Sequence, residues 1–144
     1  MRIVLDSNIL IDVEKKKENS IELLKKLIEK KDTVSISSIT VAEILIGSYS
    51  TLNFSIALQK SHRLLSQFDS ISFDDDIAEK TAQYMAYLFA IGRPNGFQDC
   101  AIAATFKLSD SDFLISLNKS HFEHLPDLKG KVFTPQEFLN LSAN

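Results

Sequence analysis

The chain has 144 residues, 44% of them hydrophobic and 24% charged, the proportions of a single soluble domain large enough for a real core. Its net charge of −3 argues against a protein held on nucleic acid by a broad basic face, but leaves room for an enzyme that touches a few nucleotides. No apolar stretch is long enough to span a membrane. The opening Met1-Arg2-Ile3-Val4-Leu5-Asp6 reaches a carboxylate too early for a signal peptide, and a single cysteine excludes an internal disulfide framework and suits a reducing cytoplasm.

Short apolar runs alternate with longer helical patterns. Residues 2–6 read as a strand buried on both faces, followed by a short helix over about 8–16. In the next helix, 20–31, Ile21, Leu24, Leu27 and Ile28 share a face while Glu22 and Lys26 pair on the other side. Residues 33–37 alternate as a second strand. Helices over about 39–49 and 53–68 lead to a short third strand at 70–73. A long helix, 75–91, opens on Asp74-Asp75-Asp76, where capping and the helix dipole suffice as reasons for the acids, and ends at Gly92-Arg93-Pro94-Asn95-Gly96. On this helix Ile77, Met85, Leu88 and Phe89 are expected in the core, leaving Tyr84, Tyr87 and Ile91 as a partner face. A helix over 97–108, strands at 113–116 and 131–133 and a final helix at 135–141 with Pro135 in its first turn complete the chain. Strand–helix alternation without repeats or a linker predicts one α/β domain over 1–144, a mainly parallel sheet of four or five strands with helices on both faces.

Three acidic residues stand at strand ends or helix starts: Asp6 after Ile3-Val4-Leu5, Glu43 in Ser38-Ile39-Thr40-Val41-Ala42-Glu43, and Asp99 in Gly96-Phe97-Gln98-Asp99. In a parallel α/β sheet these places gather along one edge, where ligands bind. Carboxylates gathered there repel one another, and a divalent cation is a common counter-charge. Each also has a local reading. Asp6 suits a helix cap, Glu43 a capping box with Thr40, and Asp99 the dipole of its helix. The apolar neighbours of Glu43 and Asp99 weigh towards the cluster, since buried carboxylates are expensive unless paired or metal-bound.

At these residues the chain resembles the PIN-domain family, and within it the VapC-type toxin ribonucleases of type II toxin–antitoxin systems. Ile3-Val4-Leu5-Asp6-Ser7-Asn8-Ile9-Leu10-Ile11-Asp12 is similar to the first motif and Ser38 to Gly47 to the second, with Glu43 as its acid. Asp99-Cys100-Ala101-Ile102-Ala103-Ala104-Thr105 is similar to the third, and Leu114-Ile115-Ser116-Leu117-Asn118-Lys119-Ser120-His121-Phe122 to the fourth. The resemblance implies a three-layer PIN-like sandwich and metal-dependent hydrolysis of RNA. Mg²⁺ or Mn²⁺ would be held by Asp6 and Asp99, with Glu43 binding through water or orienting the nucleophile, and Ser116 and Asn118 completing the catalytic set. It also implies a cognate antitoxin that brings a basic side chain to the acidic pocket; Leu45, Ile46, Tyr49 and Leu52 are candidates for the apolar groove this would need, and the Tyr84, Tyr87 and Ile91 face suggests a homodimer. Many members carry an Asp at the position of Asn118 or near His121. Here Asn118 offers only a neutral carbonyl oxygen, and His121 either contacts a phosphate or pairs with a neighbouring carboxylate or carbonyl. Ser7 and Asn8 take hydrogen-bonding roles around the first loop.

Other readings stay open beside this one: an RNA-processing nuclease outside any toxin system, and a PIN fold that has lost turnover and serves as an interaction module. A phosphoryl-aspartate receiver ranks far lower, because the third strand ends in Ser72-Phe73 rather than an aspartate. Lys15-Lys16-Lys17 reads as a solvated helix end, Cys100 as a small core residue, and His121 with His124 lacks the further ligands of a zinc site.

Overall fold

A computed structural model describes residues 1–143. Five strands, β1 (Arg2–Leu5), β2 (Thr33–Ser37), β3 (Asp69–Ile71), β4 (Phe113–Ile115) and β5 (Val132–Phe133), form one sheet in the order β3-β2-β1-β4-β5, and every neighbouring pair is parallel. Seven helices connect them: α1 (Ser7–Glu14), α2 (Glu18–Glu29), α3 (Ser38–Tyr49), α4 (Phe54–Leu65), α5 (Asp75–Ala90), α6 (Phe97–Leu108) and α7 (Pro135–Ala143). All the strands and helices expected from the sequence are present, with ends moved by up to three residues. Two 3-10 turns, Lys119–His121 and Pro126–Leu128, lie in the β4–β5 connection that the sequence left unassigned.

The strand order disposes of the receiver reading, which requires 2-1-3-4-5. It also fixes the place of a ligand. The chain steps outward from β1 through β2 to β3, then returns to the other side of β1 for β4 and β5. Crossovers therefore leave in opposite directions at the carboxyl ends of β1 and β4, and a crevice opens there.

Alternation within β1 divides the core. Ile3 and Leu5 point into a layer with Ile9, Leu10, Leu23, Leu27, Ile36, Ile44 and Phe138, so α1 to α4 and α7 cover that face. Val4 points the other way, into Leu88, Ile102, Phe106, Leu114, Phe122 and Leu128, where α5 and α6 pack. Ile3, Val4 and Leu5 are all fully buried. That is the signature of a parallel strand covered on both faces, and the reason residues 3–5 are uninterrupted hydrophobics.

One helix face differs from its sequence reading. On α5 the inward stripe is Ile77, Thr81, Tyr84 and Leu88. Tyr84 is only 5% exposed, whereas Phe89 is 78% exposed. The hydroxyl of Tyr84 donates to Asp127 Oδ2 at 2.8 Å, and Lys80 and Lys107 flank the same carboxylate at 3.4 and 3.7 Å. A tyrosine enters the core when its polar tip finds a partner, and here the partner sits 43 residues away. Tyr84 therefore leaves the expected partner face, and Phe89, expected in the core, is exposed on the other flank of the helix from Tyr87 and Ile91.

Candidate active site

Asp6 continues the strand ladder, its N–H donating to the Ile115 carbonyl at 3.0 Å, which carries its side chain to the crevice between β1 and β4. It is also the N-cap of α1: Oδ1 accepts from the Ser7 N–H at 2.7 Å. Oδ2 accepts from Ser116 Oγ at 2.6 Å. The cap and the cluster are thus one arrangement, and the carboxylate is 4% exposed. Burial raises its pKa, from 3.8 to about 6; the Ser116 and Ser7 bonds oppose the rise, and the charges of Asp99 and Glu43 add to it.

Glu43 comes from the second turn of α3. The capping-box alternative fails, because the cap of α3 is Ser37, whose hydroxyl accepts from the Ile39 N–H at 3.1 Å. Thr40 is instead buried inside the helix and bonds Ser7 Oγ at 2.9 Å. Ser7 spends its one hydroxyl proton on Glu43 Oε1, also at 2.9 Å, so Thr40 is the donor to Ser7. A chain of hydroxyls from α3 through α1 back to α3 thereby aims Glu43. Burial raises the pKa of Glu43, the Ser7 bond lowers it, and the charge of Asp99 raises it again.

Asp99 stands in the first turn of α6, its side chain about one-quarter exposed. Its Oδ2 meets His121 Nδ1 at 2.9 Å, which sets the Nδ1–H form of the ring. His121 is held from behind, its backbone carbonyl accepting from Asn95 Nδ2 at 2.6 Å. Asp99 thus takes part both in the field of the acidic group, felt at Asp6 and Glu43, and in a bond to the β4–β5 connection.

Ser116 is fully buried and is the hub of this end of β4. While donating to Asp6 it accepts from the Asn118 N–H at 2.9 Å and from Asn8 Nδ2 at 3.3 Å. Asn8 Oδ1 takes the Leu117 N–H at 3.2 Å, so Asn8 ties the first loop to the last motif. Asn118 meets the cluster through its backbone. Its side chain is exposed and caps nothing in the 3-10 turn that follows.

Asp6, Glu43, Asp99 and Ser116 are therefore brought together, with Ser7, Asn8 and His121 bonded among them. Thr40 and Asn95 belong to the same network, although the sequence did not single them out for it. Thr40 had a signal, a hydroxyl three residues before Glu43 on one helix face, which also fits a capping box. Asn95 had none, because its partner is a backbone carbonyl 26 residues away. Cys100, next to Asp99, is buried, and burial, helped by the Asp99 charge, pushes its thiol up to about 11, so it is no nucleophile.

The donors in the crevice are hard carboxylate oxygens, the set that suits Mg²⁺ or Mn²⁺ rather than zinc. Among the described residues no three His, Cys, Asp or Glu side chains close around a single point. An ion that keeps several waters and takes one or two carboxylates directly fits such an open set. Burial first, and the neighbouring carboxylates after it, raise the pKa values of Asp6 and Glu43, and a cation would offset both by stabilising the ionised forms.

Comparison with known proteins agrees with this fold. The fold matches FitAcB from Neisseria gonorrhoeae, 27% identical, with a TM-score of 0.77 over 93% of this chain and 98% of that one. It also matches a toxin–antitoxin complex from Klebsiella pneumoniae, 27% identical, with a TM-score of 0.70 over 92% and 97% of the two chains. The fold alone is shared with VapBC2 from Rickettsia felis, solved bound to a DNA fragment from their promoter: 24% identity, TM-score 0.82, coverage 93% and 98%. No curated protein sequence matches. The family model for the PIN domain matches residues 3–128, a span that contains the acidic crevice and all strands but the last, and the chain belongs to the PIN domain family.

Proposed function

We propose that this chain is a divalent-cation-dependent endoribonuclease and the toxin of a toxin–antitoxin pair. One observation carries the reading: a buried Asp6, clamped by Ser7 and Ser116 at the switch of strand order, lies within the field of Asp99 and Glu43. Capping α1 does not by itself call for like charges around the cap, which supports a chemical role for the group. Asp6 and Asp99 are the direct ligands in this reading. A Mg²⁺ or Mn²⁺ held by these carboxylates would supply Lewis acidity for a phosphoryl oxygen and would lower the pKa of water.

The chain's own residues do the positioning. Ser116 and the Ser7 N–H fix both oxygens of Asp6, each of which keeps a free lone pair. Ser7 Oγ turns Glu43 so that its second oxygen orients a water for in-line attack on phosphorus. His121 fixes the rotation of Asp99. These bonds place the reacting groups before substrate arrives, which is where the catalytic advantage of such a site originates.

Support for an antitoxin partner comes from the solved relatives, which are toxin–antitoxin complexes. On this chain Ile46, Tyr49 and Leu52 are 65, 62 and 107% exposed, and Phe54 and Ile56 extend the patch onto α4. Leu45 is half-buried beneath it. Tyr87 and Ile91, one turn apart, leave a second exposed apolar face suited to a homodimer. No helix among the described residues is long and apolar enough to cross a membrane, and a cytoplasmic location suits the RNA substrate.

The test is cleavage of a labelled RNA oligonucleotide by the purified chain with Mn²⁺, with EDTA, and with Asp6→Asn. Cation-dependent cleavage that Asp6→Asn abolishes supports the reading. A chain that folds and binds Mn²⁺ but leaves RNA intact is an interaction module, the reading favoured by the neutral Asn118. Cleavage without co-purification of a neighbouring gene's product points to an RNA-processing enzyme.

A further inference from the structure

Beside the acidic crevice lies a cavity of about 670 Å³ that the chemistry above leaves unused. Two segments wall it. One is the turn from Ile91 to Asn95 after α5, and the other contributes Ser120, His121 and His124 from the connection after β4. One arginine, two histidines, a serine and an asparagine face it, and no Asp or Glu does among the described residues. In a chain with a net charge of −3 this is a local reversal of sign. Arg93 is exposed and forms no ion pair among the described residues.

The cavity is built rather than incidental. At the end of α5 the Arg93 N–H donates to the Leu88 carbonyl at 2.8 Å and the Gly92 N–H to that of Phe89 at 3.1 Å. Gly92 takes φ of +71°, the left-handed turn that this double bond demands. Arg93 is thus fixed at its backbone. Asn95 fastens the two walls together through the His121 carbonyl, and His121 fastens them to Asp99. The ring that orients Asp99 therefore belongs to the wall of the cationic cavity.

We propose that this cavity is a subsite for a backbone phosphate of the RNA strand, flanking the bond to be cut. Arg93 provides the fixed charge and Ser120 and His124 further donors. The inference rests on the nuclease reading and adds to it where the substrate lies. A polyanion approaching three carboxylates is repelled, so a strand needs a cationic hold next to them. The guanidinium fork matches a phosphate and stays charged at every working pH. Such a contact positions the strand without reading its sequence. An acidic protein segment would satisfy the same charges, but the shared His121 sets this cavity against the reacting centre, where the substrate has to pass.

The experiment measures binding and turnover separately. Binding of a labelled single-stranded RNA is followed by anisotropy in the full chain carrying Asp6→Asn, with and without Arg93→Ala, over a series of salt concentrations. Arg93→Ala is expected to weaken binding about tenfold and to reduce the salt slope by about 0.7, the value for one phosphate on a single strand. Arg93→Lys restores part of the loss, His124→Ala reproduces it more weakly, and Lys25→Ala on α2 changes nothing. In the cleaving chain the loss from Arg93→Ala falls on KM. Unchanged affinity and slope in the Arg93 and His124 variants, with melting temperatures at the wild-type value, overturn the subsite even if the chain cleaves RNA. A chain that cleaves nothing yet loses RNA binding with Arg93→Ala keeps the subsite and loses the nuclease reading. Arg93→Ala that releases a co-purified protein but leaves RNA binding intact assigns the cavity to that protein and overturns the proposal.

Discussion

Replacing Asp6 with Asn should destroy activity and yet stabilise the metal-free protein at neutral pH. The folded state raises the pKa of Asp6 from 3.8 to about 6, chiefly by burial. The folded protein therefore holds this proton more tightly than the unfolded chain does. Stability falls as pH rises from about 4 to about 6, and the whole penalty is present above that window. Roughly two pH units at ~1.4 kcal/mol each make a penalty of about 3 kcal/mol at pH 7.5. Asn carries no charge and escapes it. Asn has one carbonyl oxygen, however, for two donors, the Ser7 N–H and Ser116 Oγ. Leaving one of them unmet costs about 1–2 kcal/mol. The net expectation in EDTA at pH 7.5 is a gain of about 1–2 kcal/mol, or roughly 2–6 °C in Tm for a domain of this size. At pH 4 the carboxyl is largely protonated, the penalty has vanished and only the lost acceptor remains, so the variant should melt below wild type. The assay is thermal unfolding of both proteins across that pH range. An equal loss of Tm at both ends would mean that Asp6 is a helix cap and nothing more, and the argument from a strained carboxylate would fall.

One further outcome concerns Asp99 in the crevice and another Tyr84 in the core. Mn²⁺ at a hundred times its Kd should stabilise the wild type by about 2.7 kcal/mol, and Asp99→Asn should remove most of that gain; an undiminished Mn²⁺ response in the variant would reduce Asp99 to a helix-dipole residue. Tyr84→Phe should lower stability by about 1 kcal/mol in urea unfolding, because the hydroxyl is buried and bonded to Asp127, whereas a residue on a free helix face would show no change.

The sequence revealed the scaffold because parallel strands covered on both faces are written as short unbroken apolar runs. Ile3-Val4-Leu5 and Phe113-Leu114-Ile115 are such runs, and in the structure they lie side by side, Val4 opposite Leu114 and Leu5 opposite Ile115. The acids at the ends of those elements could be read for the same reason. A carboxylate that follows a buried strand is carried to the carboxyl edge whatever its partners are. The partners were less legible in proportion to their distance along the chain. Ser116, 110 residues from Asp6, was reached only through the resemblance of its motif, and Asn95, which bonds a carbonyl, leaves no local pattern at all. Tyr84 was misplaced for a related reason. Periodicity scores side-chain polarity, and a hydroxyl whose partner is far along the chain scores as an exposed one.

The two readings offered by each acid, helix cap or metal ligand, turn out not to compete at Asp6. Capping an exposed helix start uses a carboxylate that water would otherwise solvate, and burial is a disadvantage there. Asp6 is capped and buried together: its backbone is still in the sheet, its Oδ1 is already committed to α1, and Ser116 takes Oδ2. Backbone and hydroxyl donors lower its pKa, and burial and two other carboxylates raise it further than they lower it. A site whose only purpose was to start a helix would not surround its cap with like charge, and Ser7→Ala separates the two tasks. The Ser7 backbone still caps through Asp6, so α1 should remain intact. Only the hydroxyl that turns Glu43 towards the crevice is lost, together with the acceptor for Thr40. The expected result is a folded protein with unchanged helix content by circular dichroism and a kcat reduced about a hundredfold, the lower end of what a positioned acid–base group contributes. Full activity in this variant would show that Glu43 needs no orienting, and would leave Asp6 and Asp99 alone to carry the chemistry.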